Sequence, residues 1–409
     1  MYDVIIIGGG IAGLYSAYKI TKMSPESKIL VLEKSNRQNL GGRMGNRQFH
    51  GVSLAIAAGI GRKEKDFRLM DLLDELKIKY GEFPVTPNYS LAMNHPCELK
   101  KIFLNLKRIY NPLKDKNKTF KEFALTILKP DEYKHFTMCS GYTDYEEESA
   151  YDTLYHYGFD DNYANWTGLG IHWNTLIEKL VNEIGEKNIQ CSQEVAKIRC
   201  HEDLNGFTLL TKDKKEYVTR KVILATTIDS VQQLVPGGKR PDSIYKDIKG
   251  QTFIRIYGQF DKYSIPLMKT FVSKTTVVSG PLHKIIPMDS EKGVYMIAYS
   301  DNAAADKLNK YSENTEANRE ILCRLIEKSI GMAHGAITLN EITTYYWKIG
   351  THYYKPLKNE YKNRGEFIKM AQHPMTNMLV VGEAVCKSQG WVEGALESVD
   401  TALTKKWVS

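Results

Sequence analysis

The 409-residue chain has few of the features that mark small secreted, fibrous or membrane-spanning proteins. Its six cysteines, Cys97, Cys139, Cys191, Cys200, Cys323 and Cys386, form no CxxC pair and no regular spacing. The thiols are therefore read as buried and reduced, with neither a disulfide framework nor a zinc ribbon expected. No run of about 18 apolar residues occurs, so no membrane span is expected. Met1-Tyr2-Asp3 leads straight into an apolar run without a basic leader, and Lys405-Lys406-Trp407-Val408-Ser409 matches no retention or lipidation tail. A soluble, cytoplasmic protein is the expectation. With 13 prolines and 30 glycines among 42% hydrophobic and 25% charged residues, collagen and intrinsic disorder are excluded. No repeat and no low-complexity linker interrupts the chain. Its 10 histidines are scattered without ligand spacing, so no metal site is expected.

Charge is also unevenly distributed. The net charge of +8 comes from 56 basic and 48 acidic residues, and only 13 of the bases are arginine. A lysine-rich solvated surface explains that balance better than nucleic-acid binding, which favours the bidentate guanidinium. Residues 135–178 hold no Lys or Arg but include Asp144, Glu146, Glu147, Glu148, Asp152, Asp160 and Asp161 among Tyr142, Tyr145, Tyr151, Tyr155, Tyr157, Tyr163 and Trp166. This stretch reads either as an acidic, aromatic surface able to receive a cation or as an exposed acidic loop over a core.

The N-terminal pattern is clearer. A β-branched run at 3–7 leads into Gly8-Gly9-Gly10-Ile11-Ala12-Gly13, an amphipathic helix at 14–22, and a second strand at 29–32 ending at Glu33. This β-turn-α-β order predicts a parallel pair with a right-handed crossover, the start of a doubly wound α/β sheet. In Gly8-x-Gly10-x-x-Gly13 the glycines provide a tight turn, room for backbone to approach a pyrophosphate, and close helix packing. Glu33, twenty residues beyond Gly13, stands where a carboxylate binds ribose hydroxyls. It would repel a 2′-phosphate despite the following Lys34 and Arg37, which disfavours NADP and leaves NAD and FAD open. Farther on, helices are expected at 67–80, 99–128 and 174–184. Strands are expected at 194–200, 207–211 (after an Asn205-Gly206 turn), 218–226 and 378–381, with a last helical stretch at 393–405. Strands at both ends of the chain then belong to one sheet, making the nucleotide domain discontinuous.

The motif Gly41-Gly42-Arg43 adds a second close backbone approach and a guanidinium that can neutralise phosphate. With Leu40 before it and Gly59 after it, this set resembles the flavin-containing amine oxidase family. The resemblance extends to Trp166-Thr167-Gly168-Leu169, Val195, Ala225-Thr226-Thr227, Gly382-Glu383 and Gly390-Trp391-Val392-Glu393-Gly394-Ala395-Leu396-Glu397-Ser398. These anchors span nearly the whole chain, while 85–165 and 260–345 match only in general pattern.

The resemblance implies a discontinuous Rossmann-like FAD-binding domain (1–80, 168–245 and 371–409) and a mixed α+β substrate domain (81–167 and 246–370). It implies FAD held by Gly8, Gly10, Ile11, Ala12, Gly13, Glu33, Lys34, Gly41, Gly42, Arg43, Val195, Ala225, Gly382, Glu383, Trp391, Val392 and Ala395. Glu383 is expected to meet a ribityl hydroxyl, and the helix beginning near Gly394-Ala395 to point positive dipole at flavin N1 and C2=O, where negative charge develops on reduction. Thr351 stands where some members attach the flavin through cysteine, so the flavin is expected to be non-covalent. Members place two aromatic rings opposite the flavin. Trp391 matches one, and the second falls in Gly350-Thr351-His352-Tyr353-Tyr354, as His352 or Tyr353. A family lysine that holds a water at flavin N5 is replaced by Arg255, which implies either a grip on a substrate carboxylate or slow oxygen activation. The expected reaction is oxidation of a mono- or polyamine by hydride transfer to the flavin, with imine hydrolysis and oxygen reduced to hydrogen peroxide. Alternatives are a desaturase or protoporphyrinogen-oxidase-like enzyme, and a non-catalytic FAD-binding protein. Neither nucleic acid nor membrane is an expected partner, and the oligomeric state stays open.

Overall fold

The computed structural model describes residues 1–93, 95–201 and 206–409. Asn205 of the anticipated Asn205-Gly206 turn lies outside the described residues. The strand Tyr2–Ile7 (sequence YDVIII) is buried on both faces, as its continuous β-branched run requires. It pairs in parallel with Ile29–Leu32 on one side and with Glu216–Leu224 on the other. Beyond Ile29–Leu32 lies Ile189–Gln190. The opposite edge is shared: the first half of Glu216–Leu224 takes the antiparallel pair Gly206–Thr211 and Val195–His201, and its second half takes Met378–Val380 in parallel. Residues near both ends of the chain thus complete one seven-stranded α/β sheet.

The helices Ile11–Met23, Trp173–Ile184 and Val392–Ala402 cover one face of this sheet, and their apolar side chains merge with Val4, Ile6, Val31 and Ile223 in one core. A second, antiparallel sheet of five strands is built on Ile248–Phe260 and Leu339–Tyr354, which run side by side for most of their length. Between Gln251 and Phe253 their register shifts: Gln251 faces Thr351, whereas Phe253 faces Trp347. Three residues, Lys348, Ile349 and Gly350, therefore oppose the single Thr252. A Cβ on Gly350 would fall 2.6 Å from Phe253 Cβ, so the irregularity needs a residue without a side chain there.

The helical region expected over 99–128 consists of three short helices, Leu99–Ile109, Pro112–Asp115 and Phe120–Ala124. Pro112 and the Thr119/Glu122 capping box start new helices inside the periodic pattern. The helix Phe67–Glu75 stops short of residue 80 because Lys77 adopts a left-handed φ of 54°. Neither reading of residues 135–178 describes what is found. Tyr145, Glu148, Asp152 and Phe159 are buried, and several acids meet bases from distant segments. Asp152 pairs with Arg364, Asp161 with Arg62 and Lys65, and Glu146 with Lys121. The missing local cations are supplied by tertiary structure.

The cysteine expectation is corrected at one pair. Cys97 and Cys139 form a disulfide across 42 residues of sequence, while Cys191, Cys200, Cys323 and Cys386 are free; of these Cys323 and Cys386 are buried as expected, Cys191 is half-buried, and Cys200 is exposed on an edge strand. Pairing depends on where Cys97 and the last turn of the helix Pro130–Ser140 meet, a tertiary relationship that spacing along the chain does not carry. Among the described residues, no helix is long and apolar enough to cross a membrane.

Candidate active site

A cavity of about 670 Å³ runs from the first βαβ unit to the inner face of the second sheet. One end is lined by Gly8, Gly10, Ile11, Ala12, Glu33 and Lys34 with Val195 and Ala225 opposite; the middle by Gly41, Gly42, Arg43, Gly382 and Glu383; the far end by Trp391, Val392, Ala395, Arg255, Phe253, Tyr299 and Trp347. Of the anticipated cofactor residues only Gly13 is absent from the lining, and its place explains why. A Cβ there would lie 1.9 Å from Gly8 O, so Gly13 is the packing glycine that lets the helix approach its strand. Gly8 has φ +106°, and a Cβ there would stand 2.4 Å from Ala225 O. Gly10, by contrast, would meet nothing nearer than 3.9 Å, so its backbone is open.

That geometry fits a dinucleotide. Gly10 caps the helix Ile11–Met23 without any side-chain hydrogen bond, leaving amide donors at the helix start. Glu33 accepts from the N–H groups of Gly9 and Ser35, each at 2.7 Å, which orients the carboxylate and leaves lone pairs for a diol. The helix Val392–Ala402 likewise starts without a side-chain cap at Trp391, with Ala395 and Val392 facing the cavity. No cysteine lines the cavity.

Glu383 is buried and fully engaged. Its Oε1 accepts from His352 N and Gly390 N at 2.8 Å each, and its Oε2 from His352 Nδ1 at 2.5 Å and Arg43 Nη1 at 3.1 Å. Four donors fill the four acceptor positions of a carboxylate. Burial by itself would raise this carboxyl, but the pull of the His352 ring, the Arg43 guanidinium and the hydrogen bonds outweighs it and holds the group below the usual carboxylate range. In this arrangement Glu383 ties together Arg43, the strand at His352 and the turn at Gly390 rather than offering a free oxygen to a ribityl hydroxyl.

The aromatic positions differ from expectation. His352 is turned away from the cavity into the Glu383 cluster, and neither it nor Tyr353 lines the cavity. The register shift before Thr351 sets which side chains face inward, and the ring it presents is Trp347, whose Nε1 donates to Ile56 O at 3.0 Å. Trp391 does line the cavity, with Trp166 edge-on at 6.5 Å and the Arg62 guanidinium 3.7 Å above its ring. Arg62 is buried and clamped by Asp66 at 2.6 Å and Asp161 at 3.0 Å. Sequence reasoning missed Arg62 and Trp347, since no local motif surrounds either.

Arg255 projects into the far end of the cavity and is 4% exposed. Its guanidinium lies 4.5 Å from the Tyr299 ring centre and makes long contacts of 3.4 Å to Ala55 O and 3.5 Å to Tyr257 Oη, with the Tyr299 side chain also in hydrogen-bonding reach. Among the described residues no carboxylate pairs with it. Beyond Tyr299 the ring of Tyr142 packs edge-on, with Lys284 Nζ 3.4 Å over its other side. Burial pushes Lys284 down to about 7, against the pull of Asp144 and Asp301.

An α/β fold with a glycine-lined dinucleotide cavity ending in aromatic rings and a buried cation defines a cofactor-dependent oxidoreductase. Residues 6–76 match the NAD(P)-binding Rossmann-like domain, and residues 116–402 match the flavin-containing amine oxidoreductases. The chain belongs to the flavin-containing amine oxidoreductase family and is an FAD-dependent enzyme. Among similar proteins is an uncharacterised protein of Acanthamoeba polyphaga mimivirus, 22% identical over 98% of this chain and 93% of its own length. Thiamine thiazole synthase of Emericella nidulans is 32% identical over only 21% of this chain and 23% of its own. In fold the chain resembles cyclohexylamine oxidase of Brevibacterium oxydans (TM-score 0.74, 15% identity, 100% of this chain and 98% of the other). It likewise resembles putrescine oxidase bound to putrescine (TM-score 0.73, 14% identity, 98% of each).

Proposed function

We propose that the protein oxidises the carbon–nitrogen bond of a small amine, with oxygen as final electron acceptor and hydrogen peroxide as product. FAD, bound without a covalent bond, would supply the two-electron acceptor for hydride from the carbon bearing the nitrogen, and water would hydrolyse the resulting imine. The protein's part is placement. Gly8, Gly10, Gly42 and Arg43 would hold the pyrophosphate, Glu33 would hold the ribose, and the uncapped start of Val392–Ala402 would stabilise negative charge on the reduced ring. Trp391 and Trp347 wall the substrate end and exclude water.

The observation that carries this reading is the position of Arg255: a buried cation with no carboxylate partner among the described residues, at the aromatic end of the dinucleotide cavity. An unpaired buried charge is costly, so the site is built for a ligand that brings an acceptor. The favoured substrate is an amine that also carries a carboxylate, with Arg255 binding that group in its bidentate fork and turning the amine toward the flavin. Anaerobic absorbance of the FAD-loaded protein against a panel of amines and amino acids tests this. Bleaching by a carboxylate-bearing amine is the expected result. A flavin that no amine bleaches overturns the oxidase reading, and bleaching by simple amines alone overturns the assignment to Arg255.

A further inference from the structure

Outside the cavity, Cys97, His135 and Cys139 bring one ligand atom each to within 4.8 Å of one another. His135 and Cys139 are four apart on the helix Pro130–Ser140 and share a face. Cys97 precedes the helix Leu99–Ile109. The exposed His95 ring stands edge-on to His135 at 87°, with centroids 5.9 Å apart, and is the neighbouring imidazole able to turn in as a fourth ligand. Two separate segments thus bring Cys97 and the His135-x3-Cys139 pair to one spot. A disulfide staple needs only the two cysteines and does not account for the His135 imidazole beside the sulfurs.

The distances match a metal. Tetrahedral zinc, with Zn–S of about 2.3 Å and Zn–N of about 2.0–2.1 Å, places neighbouring N and S ligands roughly 3.6 Å apart. His135 Nε2 already lies 3.5 Å from Cys139 Sγ. The same bond lengths put two zinc-bound sulfurs roughly 3.7 Å apart, which opening the S–S bond and rotating the side chains allows at the observed Cα–Cα separation of 5.6 Å. Nε2 now contacts Pro96 O at 3.1 Å, so metal binding moves the ring proton to Nδ1 and gives up that contact.

We propose that His95, Cys97, His135 and Cys139 form a tetrahedral zinc site when the cysteines are reduced, and that the disulfide is the oxidised, metal-free form of the same site. Reduction by a dithiol puts two electrons into the S–S bond and yields two thiols, while the dithiol closes to its own disulfide. Zinc then takes the two thiolates and two neutral imidazoles, releasing two protons to solvent. In the reverse direction the two thiolates give two electrons to hydrogen peroxide, which leaves as two hydroxides, the disulfide forms, and zinc departs.

The test uses the FAD-loaded protein, whose flavin spectrum reports that the fold is intact. After anaerobic reduction with dithiothreitol and desalting, Co²⁺ is added and then displaced by Zn²⁺. One equivalent of cobalt with tetrahedral d–d and thiolate-to-cobalt charge-transfer bands is expected, displaced by one equivalent of zinc. The oxidised protein and the C97S/C139S variant should show neither band, and H135A should weaken zinc binding on the order of tenfold or more. Reduced wild-type protein that binds no more cobalt or zinc than the oxidised protein overturns the proposal, as does bound cobalt lacking thiolate charge transfer. The comparison of the two wild-type states needs no substitution, so a misfolded variant does not spoil it.

Discussion

His352 and Glu383 form a directional pair. The Ile228 N–H donates to His352 Nε2 at 3.1 Å, and His352 Nδ1 meets Glu383 Oε2 at 2.5 Å. The imidazole thus orients a carboxylate that also holds Arg43 and the Gly390 amide. Glu383→Gln keeps the shape but turns one acceptor oxygen into a donor that faces other donors. The expected outcome is a loss of about 2–3 kcal/mol in stability and weaker FAD retention, read by thermal denaturation and flavin content after gel filtration. Unchanged values for both would show that the cluster does not organise the cavity.

The same pair predicts an acid limit. Glu383 is held below the ordinary carboxylate range in the folded protein, so its contribution is fully present above the unfolded pKa near 4.5 and is lost as pH falls through the lower folded value. Thermal stability of the wild type should therefore fall more steeply than that of Glu383→Gln on acidification below about pH 4.5. Parallel curves would remove Glu383 from the explanation.

Trp391 and Arg62 make a separable prediction. Trp391→Ala should lower amine turnover far more than FAD content, because the indole walls the far end of the cavity, away from the glycines, Glu33 and Arg43 proposed to hold the cofactor. Equal loss of both would make it a packing residue. Arg62→Met removes the guanidinium stacked on that indole and strands Asp66, which is buried beside it. Breaking a buried pair typically costs about 3–5 kcal/mol, so this variant should unfold at clearly lower temperature even without substrate.

What the sequence made legible was local chemistry. Gly8-x-Gly10-x-x-Gly13, Glu33 and Gly41-Gly42-Arg43 fall at lining or packing positions of the cavity, and each depends on a turn and a helix start within a few residues. The second aromatic wall was not legible. Its place at His352 or Tyr353 followed from the resemblance with the register left open, and three residues opposing Thr252 shift the register of Leu339–Tyr354 just before that segment. Arg62, the Cys97–Cys139 bond and the distant bases facing residues 135–178 are likewise products of chain crossings that no local spacing encodes.

Arg255 yields the sharpest contrast between stability and function. Removing one member of a buried ion pair ordinarily destabilises a protein by stranding the other, but here no carboxylate would be stranded among the described residues. Arg255→Met should leave the melting temperature of the substrate-free protein unchanged or higher, since a desolvated cation is replaced by an apolar chain that fits beside Tyr299. For a carboxylate-bearing amine the same change should raise KM on the order of thirtyfold or more, the equivalent of about 2 kcal/mol for a buried charge-assisted contact. For the matching amine without its carboxylate KM should scarcely move. A marked fall in melting temperature would mean that Arg255 serves the fold. Equal losses for both amines would mean that it acts on the flavin itself and leaves substrate choice to the aromatic walls.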